Sequence, residues 1–318
     1  MTKVFITGIS GFAGSYLARY LRKKDISITG TYLMDESLKV IEDIKDRLSL
    51  IKVDLQDATR VLELINTIKP DLVFHLAALT SPGDSFNNPV ATIQNNIAAQ
   101  INILEGIKKA KLPDTKILIV SSAEVYGLVK KEDLPIDEDT KLMPTNPYAV
   151  SKIAQDFLGL QYFLSYKIKV IRVRPFNHIG PGQSPSFVVP AFAKKIAEIE
   201  KGQGKPTLLV GSLDAKRDFT DVRDMVRAYS IIIQKGKPGE VYNIGSGKSY
   251  KIADILDRLL SFSKSKIAVK IDKSLFRPSD NPELLCDANK FIRATGWSPE
   301  ISIDTTLKDT LDYWRNII

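Results

Sequence analysis

The chain has 318 residues, 44% hydrophobic and 26% charged, with a formal net charge of +8. That composition excludes a disordered or fibrous protein, and the length supports one large α/β domain or two unequal lobes. No apolar run approaches the roughly 20 residues of a membrane helix, and the basic residues are scattered among acidic ones instead of forming a nucleic-acid face.

In chain order, residues 3–7 are an apolar, β-branched run, residues 8–14 a glycine loop, and residues 15–24 a stretch with helical spacing. Strand-like residues 26–32 and 48–53 follow, then helical 58–68 closed by Lys69-Pro70. Residues 71–77 read as a strand, 91–109 as a long helix, 115–121 as a strand, 148–164 as a helix and 168–174 as a strand. Short apolar strands alternating with helices predict an α/β fold, a Rossmann-type doubly wound parallel sheet, over residues 1–174. Beyond Pro175 the pattern loosens. Helices at 189–199, 222–234, 252–262 and 303–314 and strands at 207–210 and 266–271 predict a smaller α/β lobe over 175–318. Some of its elements are expected to return to the first domain.

The single cysteine, Cys286, has no internal partner and reads as a small core residue. No signal-like apolar stretch follows Met1, so the expected location is cytoplasmic. No His/Cys cluster has metal-ligand spacing, so no metal is expected.

The run Thr7-Gly8-Ile9-Ser10-Gly11-Phe12-Ala13-Gly14 lies between the first strand and the first helix. Glycines let the backbone turn tightly and approach a pyrophosphate, and the helix N-terminus offers free N–H groups. This predicts a dinucleotide site. The second strand ends at Tyr32, where an acid would favour NAD and a base NADP. A tyrosine does not repel a 2′-phosphate, so the reading leans to NADP(H) and leaves NAD(H) open. Asp54, before Leu55, either accepts from the adenine amino group or caps the helix at 58–68.

Tyr148 and Lys152 stand one helical turn apart. A nearby ammonium would draw the phenol toward phenolate and let it exchange a proton near neutral pH. The similar pairs Tyr20…Lys24 and Tyr126…Lys130 lack that setting; only Tyr148 opens a helix after a Pro-rich turn. Ser122 ends the preceding strand, where a parallel sheet presents its ligand, and can hydrogen-bond a carbonyl or alkoxide. Glu124 follows it and is either an acid/base or a structural carboxylate.

These residues resemble the extended short-chain dehydrogenase/reductase family of nucleotide-sugar epimerases, dehydratases and reductases. The likeness spans essentially the whole chain. It rests on the glycine loop, Asp54-Leu55, His75-Leu76-Ala77-Ala78, Asn96, Ser122 to Gly127, and Tyr148/Lys152. It continues through Arg174-Pro175-Phe176-Asn177, Arg217-Asp218 and Arg277-Pro278-Ser279-Asp280. The resemblance implies that Gly8, Ile9, Gly11, Phe12, Ala13, Gly14, Tyr32, Asp54, Leu55, Leu76, Ala77, Ala78, Tyr148, Lys152 and Phe176 bind the cofactor. It implies that Asn177, Val188, Arg217, Arg277 and Asp280 bind the substrate, the arginines on its diphosphate and Asp280 on its ribose. For Arg217 alone, an ion pair with Asp218 is the rival reading. Asn96 serves the fold or a proton relay.

A narrower likeness, through Arg174 to Gln183, Arg217 to Asp224 and Arg277 to Asp280, is to the GDP-4-dehydro-6-deoxy-D-mannose reductases. Their sister group, the GDP-mannose 4,6-dehydratases, shares Asn177-His178. Those dehydratases usually carry an Arg-Arg-Gly-like run after the histidine, a base near Tyr32 and a hydroxyl or acid at position 123. This chain has Gly180-Pro181-Gly182 and Ala123 instead. The implied reaction is reduction of the C4 keto group of a GDP-bound 4-keto-6-deoxy sugar to GDP-D-rhamnose. Dehydration through Glu124 is the alternative, and 4-epimerisation a third. His178 reads as a buried, hydrogen-bonded histidine. By analogy, the helices at 91–109 and 148–164 would form a four-helix homodimer interface.

Overall fold

A computed structural model of the chain describes residues 1–276 and 281–318. The first half alternates β1 (Thr2–Thr7), α1 (Phe12–Leu21), β2 (Ile26–Tyr32), β3 (Ser49–Lys52), α2 (Ala58–Ile68) and β4 (Leu72–His75). It continues with α3 (Pro82–Asn87), α4 (Pro89–Lys109), β5 (Lys116–Val120), α5 (Pro147–Tyr166) and β6 (Lys169–Pro175). The second half holds β7 (Asn177–Ile179), α6 (Val188–Glu200), β8 (Thr207–Val210), β9 (Lys216–Asp221), α7 (Val222–Lys235) and β10 (Val241–Ile244). Then come β11 (Ser249–Lys251), α8 (Ile252–Ser261), β12 (Ala268–Ile271), β13 (Glu283–Leu284), α9 (Asn289–Thr295) and α10 (Ile303–Ile317).

Seven parallel strands form the main sheet in the order β10-β6-β5-β4-β1-β2-β3. Period-two alternation splits their apolar side chains between two cores. Val4, Ile6, Phe74, Leu118 and Val173 pack with α1 and α7, whereas Phe5, Val73, Ile117, Ile119 and Val170 pack with α2 and α4. Both faces are therefore buried, which is why these strands read as unbroken apolar runs. A third core joins α6, α8 and α10 over β8. Small side sheets, β7, β11 and β13 on β9, and β12 on β8, complete the second half. Among the described residues no helix is long and apolar enough to cross a membrane.

Two local expectations change. The first helix starts at Phe12, three residues before the expected position, and ends at Leu21. Gly14 thus lies inside its first turn, where a Cβ would stand 2.2 Å from the Gly8 carbonyl oxygen. Close packing on the loop, not helix propensity, sets that start. The cap of α2 is Asp57, which accepts from the Thr59 and Arg60 amides at 3.0 Å each, and not Asp54, whose carboxylate accepts from Gln56 N. Cys286 is buried, as expected of a core residue.

Candidate active site

The carboxyl ends of β1, β4, β5 and β6 open onto one cavity of about 700 Å³. Gly8 turns the chain there at φ +68°, and a Cβ on it would meet Ala77 Cα at 2.9 Å, so the glycine loop touches the segment after β4. The Thr7 hydroxyl receives the Leu76 and Ala77 amides at 3.1 Å each. It therefore donates to Nδ1 of His75 at 2.9 Å, which leaves the imidazole proton on Nε2. Burial lowers the His75 pKa to about 3, with Lys152 adding to the effect, so this ring is neutral at working pH. Gly8, Gly11, Phe12, Ala13, Gly14, Leu76, Ala77 and Ala78 all border the cavity. The glycine cradle and the N-terminus of α1 fit a dinucleotide pyrophosphate.

Four residues expected at the cofactor do not border this cavity. Ile9 turns its side chain into the core and donates its amide to Thr31 O at 3.0 Å. Leu55 is buried against α2 and α4, and its carbonyl accepts from Asn102 Nδ2 at 2.8 Å. Asp54 is exposed. Tyr32 ends β2 directly across the ladder from Lys52, which pairs with Asp35. Sequence spacing shows no base near Tyr32; strand register supplies one.

The proton-transfer group is more compact. Ser122 follows β5 and accepts from the Glu124 amide at 3.2 Å, opening a 3-10 turn over Ala123–Tyr126. Asn146 caps α5 by accepting from the Ala149 amide at 2.8 Å, with Pro147 at the first helical position. This sets Tyr148 and Lys152 against the strand ends, 7% and 5% exposed. Ser122 and Tyr148 both border the cavity. Lys152 Nζ donates to Val120 O at 2.8 Å and lies 5.8 Å from the Tyr148 ring centroid. Burial pushes the Tyr148 phenol up; the nearby Ser122 hydroxyl opposes that shift and the Glu124 charge adds to it. Burial also lowers Lys152 to about 7. The direction for Tyr148 is the reverse of the sequence expectation, because desolvation outweighs the lysine charge, which is turned to a backbone carbonyl.

Glu124 borders the cavity, half-buried, and accepts from Asn146 Nδ2 at 3.2 Å. Asn96 accepts from Leu79 N at 2.8 Å and donates to Leu79 O and Ser151 Oγ at 3.1 and 2.9 Å. Its amide is thus taken up by tying the loop after β4 to α5. Phe176, Asn177, Val188 and Arg217 also border the cavity. Arg217 donates to Lys216 O and Asn281 O at 2.8 and 2.7 Å. Asp218 alternates to the other side of β9, fully buried, and accepts from the Ser246, Gly247 and Cys286 amides. The adjacent pair therefore does not bond to itself. Arg277 and Asp280 lie outside the described residues. His178 is half-buried as a whole, with Nδ1 enclosed and without a hydrogen-bond partner among the described residues; it borders the cavity and stacks on Phe12, with centroids 6.0 Å apart and planes 2° from parallel.

Sequence reasoning missed Asn146, Asn281 and Tyr229, all of which border the cavity. Asn146 was findable from its Asn-Pro helix start. Tyr229 sits mid-helix with no signal in its neighbours.

The family profile described as GDP-mannose 4,6 dehydratase matches residues 5–310. A GDP-6-deoxy-D-mannose reductase from Pseudomonas aeruginosa is 34% identical over 315 residues, 99% of this chain and 97% of its own. A GDP-mannose 4,6-dehydratase from Yersinia enterocolitica is 27% identical over 343 residues, 96% of this chain and 91% of its own. The solved structure of RMD from Pseudomonas aeruginosa complexed with NADPH superposes with a TM-score of 0.87 at 33% identity, covering 100% of both chains.

Proposed function

The chain belongs to the GDP-mannose 4,6-dehydratase family, and within that family we propose that it is a reductase of the C4 keto group of GDP-4-dehydro-6-deoxy-D-mannose, forming GDP-D-rhamnose. The observation that carries this is an acid in place: Tyr148, buried at the cavity with Ser122 and Lys152 and kept protonated by its burial. Carbonyl reduction consumes such an acid, whereas dehydration and epimerisation begin with an oxidation that needs a base. A relative that performs the reduction aligns over 99% of the chain, which agrees.

A reduced nicotinamide supplies the hydride for C4 when bound. Tyr148 gives the proton to the 4-oxygen, and Ser122 hydrogen-bonds that oxygen as its charge develops. Lys152, partly charged near neutral pH, orients the nicotinamide ribose hydroxyls. The glycine loop and Ala77–Ala78 hold the pyrophosphate side; Asn177, Val188 and Arg217 receive the nucleotide sugar. Lys52 beside Tyr32 supports NADP(H), as does the NADPH held by the Pseudomonas relative. NAD(H) remains compatible with the site, since Asp35 partly offsets Lys52.

Residues 1–174 would carry the cofactor and 175–318 the sugar nucleotide, with α7 and β10 returned to the main sheet. We also propose a cytoplasmic homodimer through α4 and α5, whose residues Val90, Val150, Phe157 and Leu164 are exposed and apolar.

One observation favours a second reading: Glu124 stands at the cavity beside Tyr148, where a dehydratase needs a base for the C5 proton. Against it, Ala123, which borders the cavity, offers no hydroxyl or acid. The deciding experiment mixes the protein with GDP-4-keto-6-deoxymannose and NADPH, then NADH, and follows the reduced-nicotinamide absorbance. Stoichiometric oxidation supports the reductase and ranks the cofactors. Conversion of GDP-mannose to a 4-keto product without added cofactor would make Glu124 the working base.

A further inference from the structure

We propose that the hydroxyl of Tyr229 is a hydrogen-bonding contact for the nicotinamide end of the cofactor, an inference that rests on the reductase reading above. Tyr229 lies on α7, in a helix face otherwise filled by Met225, Val226, Ile232 and Ile233. It is fully buried, and its hydroxyl has no hydrogen-bond partner among the described residues. A phenylalanine would fill the same space without that desolvation cost, so the oxygen is a liability to the protein alone.

Its position says what the oxygen is for. Orphaned polar atoms on Gln100, Gln155 and Trp314 lie away from the cavity; Tyr229 borders it, as do His178, Gln183 and Asn281, whose orphaned atoms come from other second-half segments, not from the helix against the glycine loop. It is also close enough to Tyr148 for an ionised Tyr148 to raise its own pKa, beyond the rise that burial causes. It therefore stays a neutral phenol, able to donate to one group or accept from another. The side of approach separates cofactor from sugar. α7 packs on α1, the helix that carries the glycine loop, whereas Asn177, Val188 and Arg217 bound the cavity from the second lobe. Tyr148 must stand beside the carbon that gains hydride, so the nicotinamide ring lies next to it. The one hydrogen-bonding substituent on that ring is its carboxamide.

The test is Tyr229→Phe, which keeps the ring and removes the oxygen. Two effects of opposite sign are expected. The protein without cofactor melts at a higher temperature than wild type, since a buried orphan is gone. The dissociation constant for NADPH, from fluorescence titration, rises about five- to twentyfold. Binding of 2′-phospho-ADP-ribose, which lacks the nicotinamide, is unchanged. Equal NADPH affinity in variant and wild type overturns the contact, and so does an equal loss for both ligands, which would place the effect elsewhere. Failure of the wild type to bind NADPH or NADH sinks the reductase reading and the contact with it, a result distinguishable from a loss confined to the variant.

Discussion

The Tyr148 phenol, its pKa raised by burial and by the Glu124 charge, keeps its proton at neutral pH, the form in which it can serve as an acid. Tyr148→Phe removes that proton and leaves the packing, so kcat for NADPH oxidation is expected to fall about 10²- to 10⁴-fold. The KM for the sugar nucleotide and the melting temperature should hold. A variant that kept most of its kcat would remove Tyr148 from the chemistry. Lys152 works with opposite pH sense. With its pKa lowered to about 7, it is charged below that pH and neutral above it. Because kcat/KM for NADPH reports the free enzyme, it should decline as pH rises through about 7, and Lys152→Met should flatten that limb. Lys52 belongs to specificity. It faces Tyr32 and shares its charge with Asp35, so Lys52→Ala should raise the KM for NADPH about threefold to fivefold and leave that for NADH nearly unchanged. Equal effects on both cofactors would mean that Lys52 does not meet a 2′-phosphate.

The element that aims this chemistry is α5, and its start depends on one side chain with two duties. Asn146 caps the helix through Oδ1 and donates its amide to Glu124. Asn146→Ala loses both, at about 1 kcal/mol, and should lower the melting temperature by about 2 °C. Asn146→Ser keeps a capping oxygen and loses only the donated amide, so its melting temperature should stay near wild type while activity changes. An equal thermal loss in both variants would assign the stability to the Glu124 bond instead. This helix start was legible in the sequence because Asn-Pro is a local signal, and it was read to within one residue. The start of α1 was not. Gly11 caps it without a side chain, and Ala13 and Gly14 carry no start signal; contact with the Gly8 carbonyl fixes it. β7, β9, β11 and β13 were also invisible. They run from two to six residues, are largely polar, and pair with distant partners such as Glu283 with Lys216.

Across the whole molecule, periodicity revealed the main sheet because both its faces are buried, but it could not say which strand closes the edge. That strand is β10, drawn in beside β6 after the chain has already built part of the second lobe. The same return places α7 under the sheet and Tyr229 at the cavity, a juxtaposition no local pattern encodes. Stability against acid is likewise set by tertiary burial. The chain has two histidines, and burial lowers the pKa of both, His75 to about 3. The unfolded chain binds a proton at His75 below about pH 6.5 and the folded chain does not, so stability falls as pH drops through that window, by about 1.4 kcal/mol per unit. Asp218 and Glu138, raised by burial, take up protons earlier when folded and act in the opposite direction. Both remain in His75→Asn, so comparing slopes isolates the histidine. Urea unfolding at pH 6.5, 5.5 and 4.5 should show a flatter dependence in the variant, whatever its absolute stability after losing the Thr7 bond. Parallel slopes would mean that His75 is protonated in the folded protein, and that Thr7 does not hold it as the neutral tautomer beside Lys152.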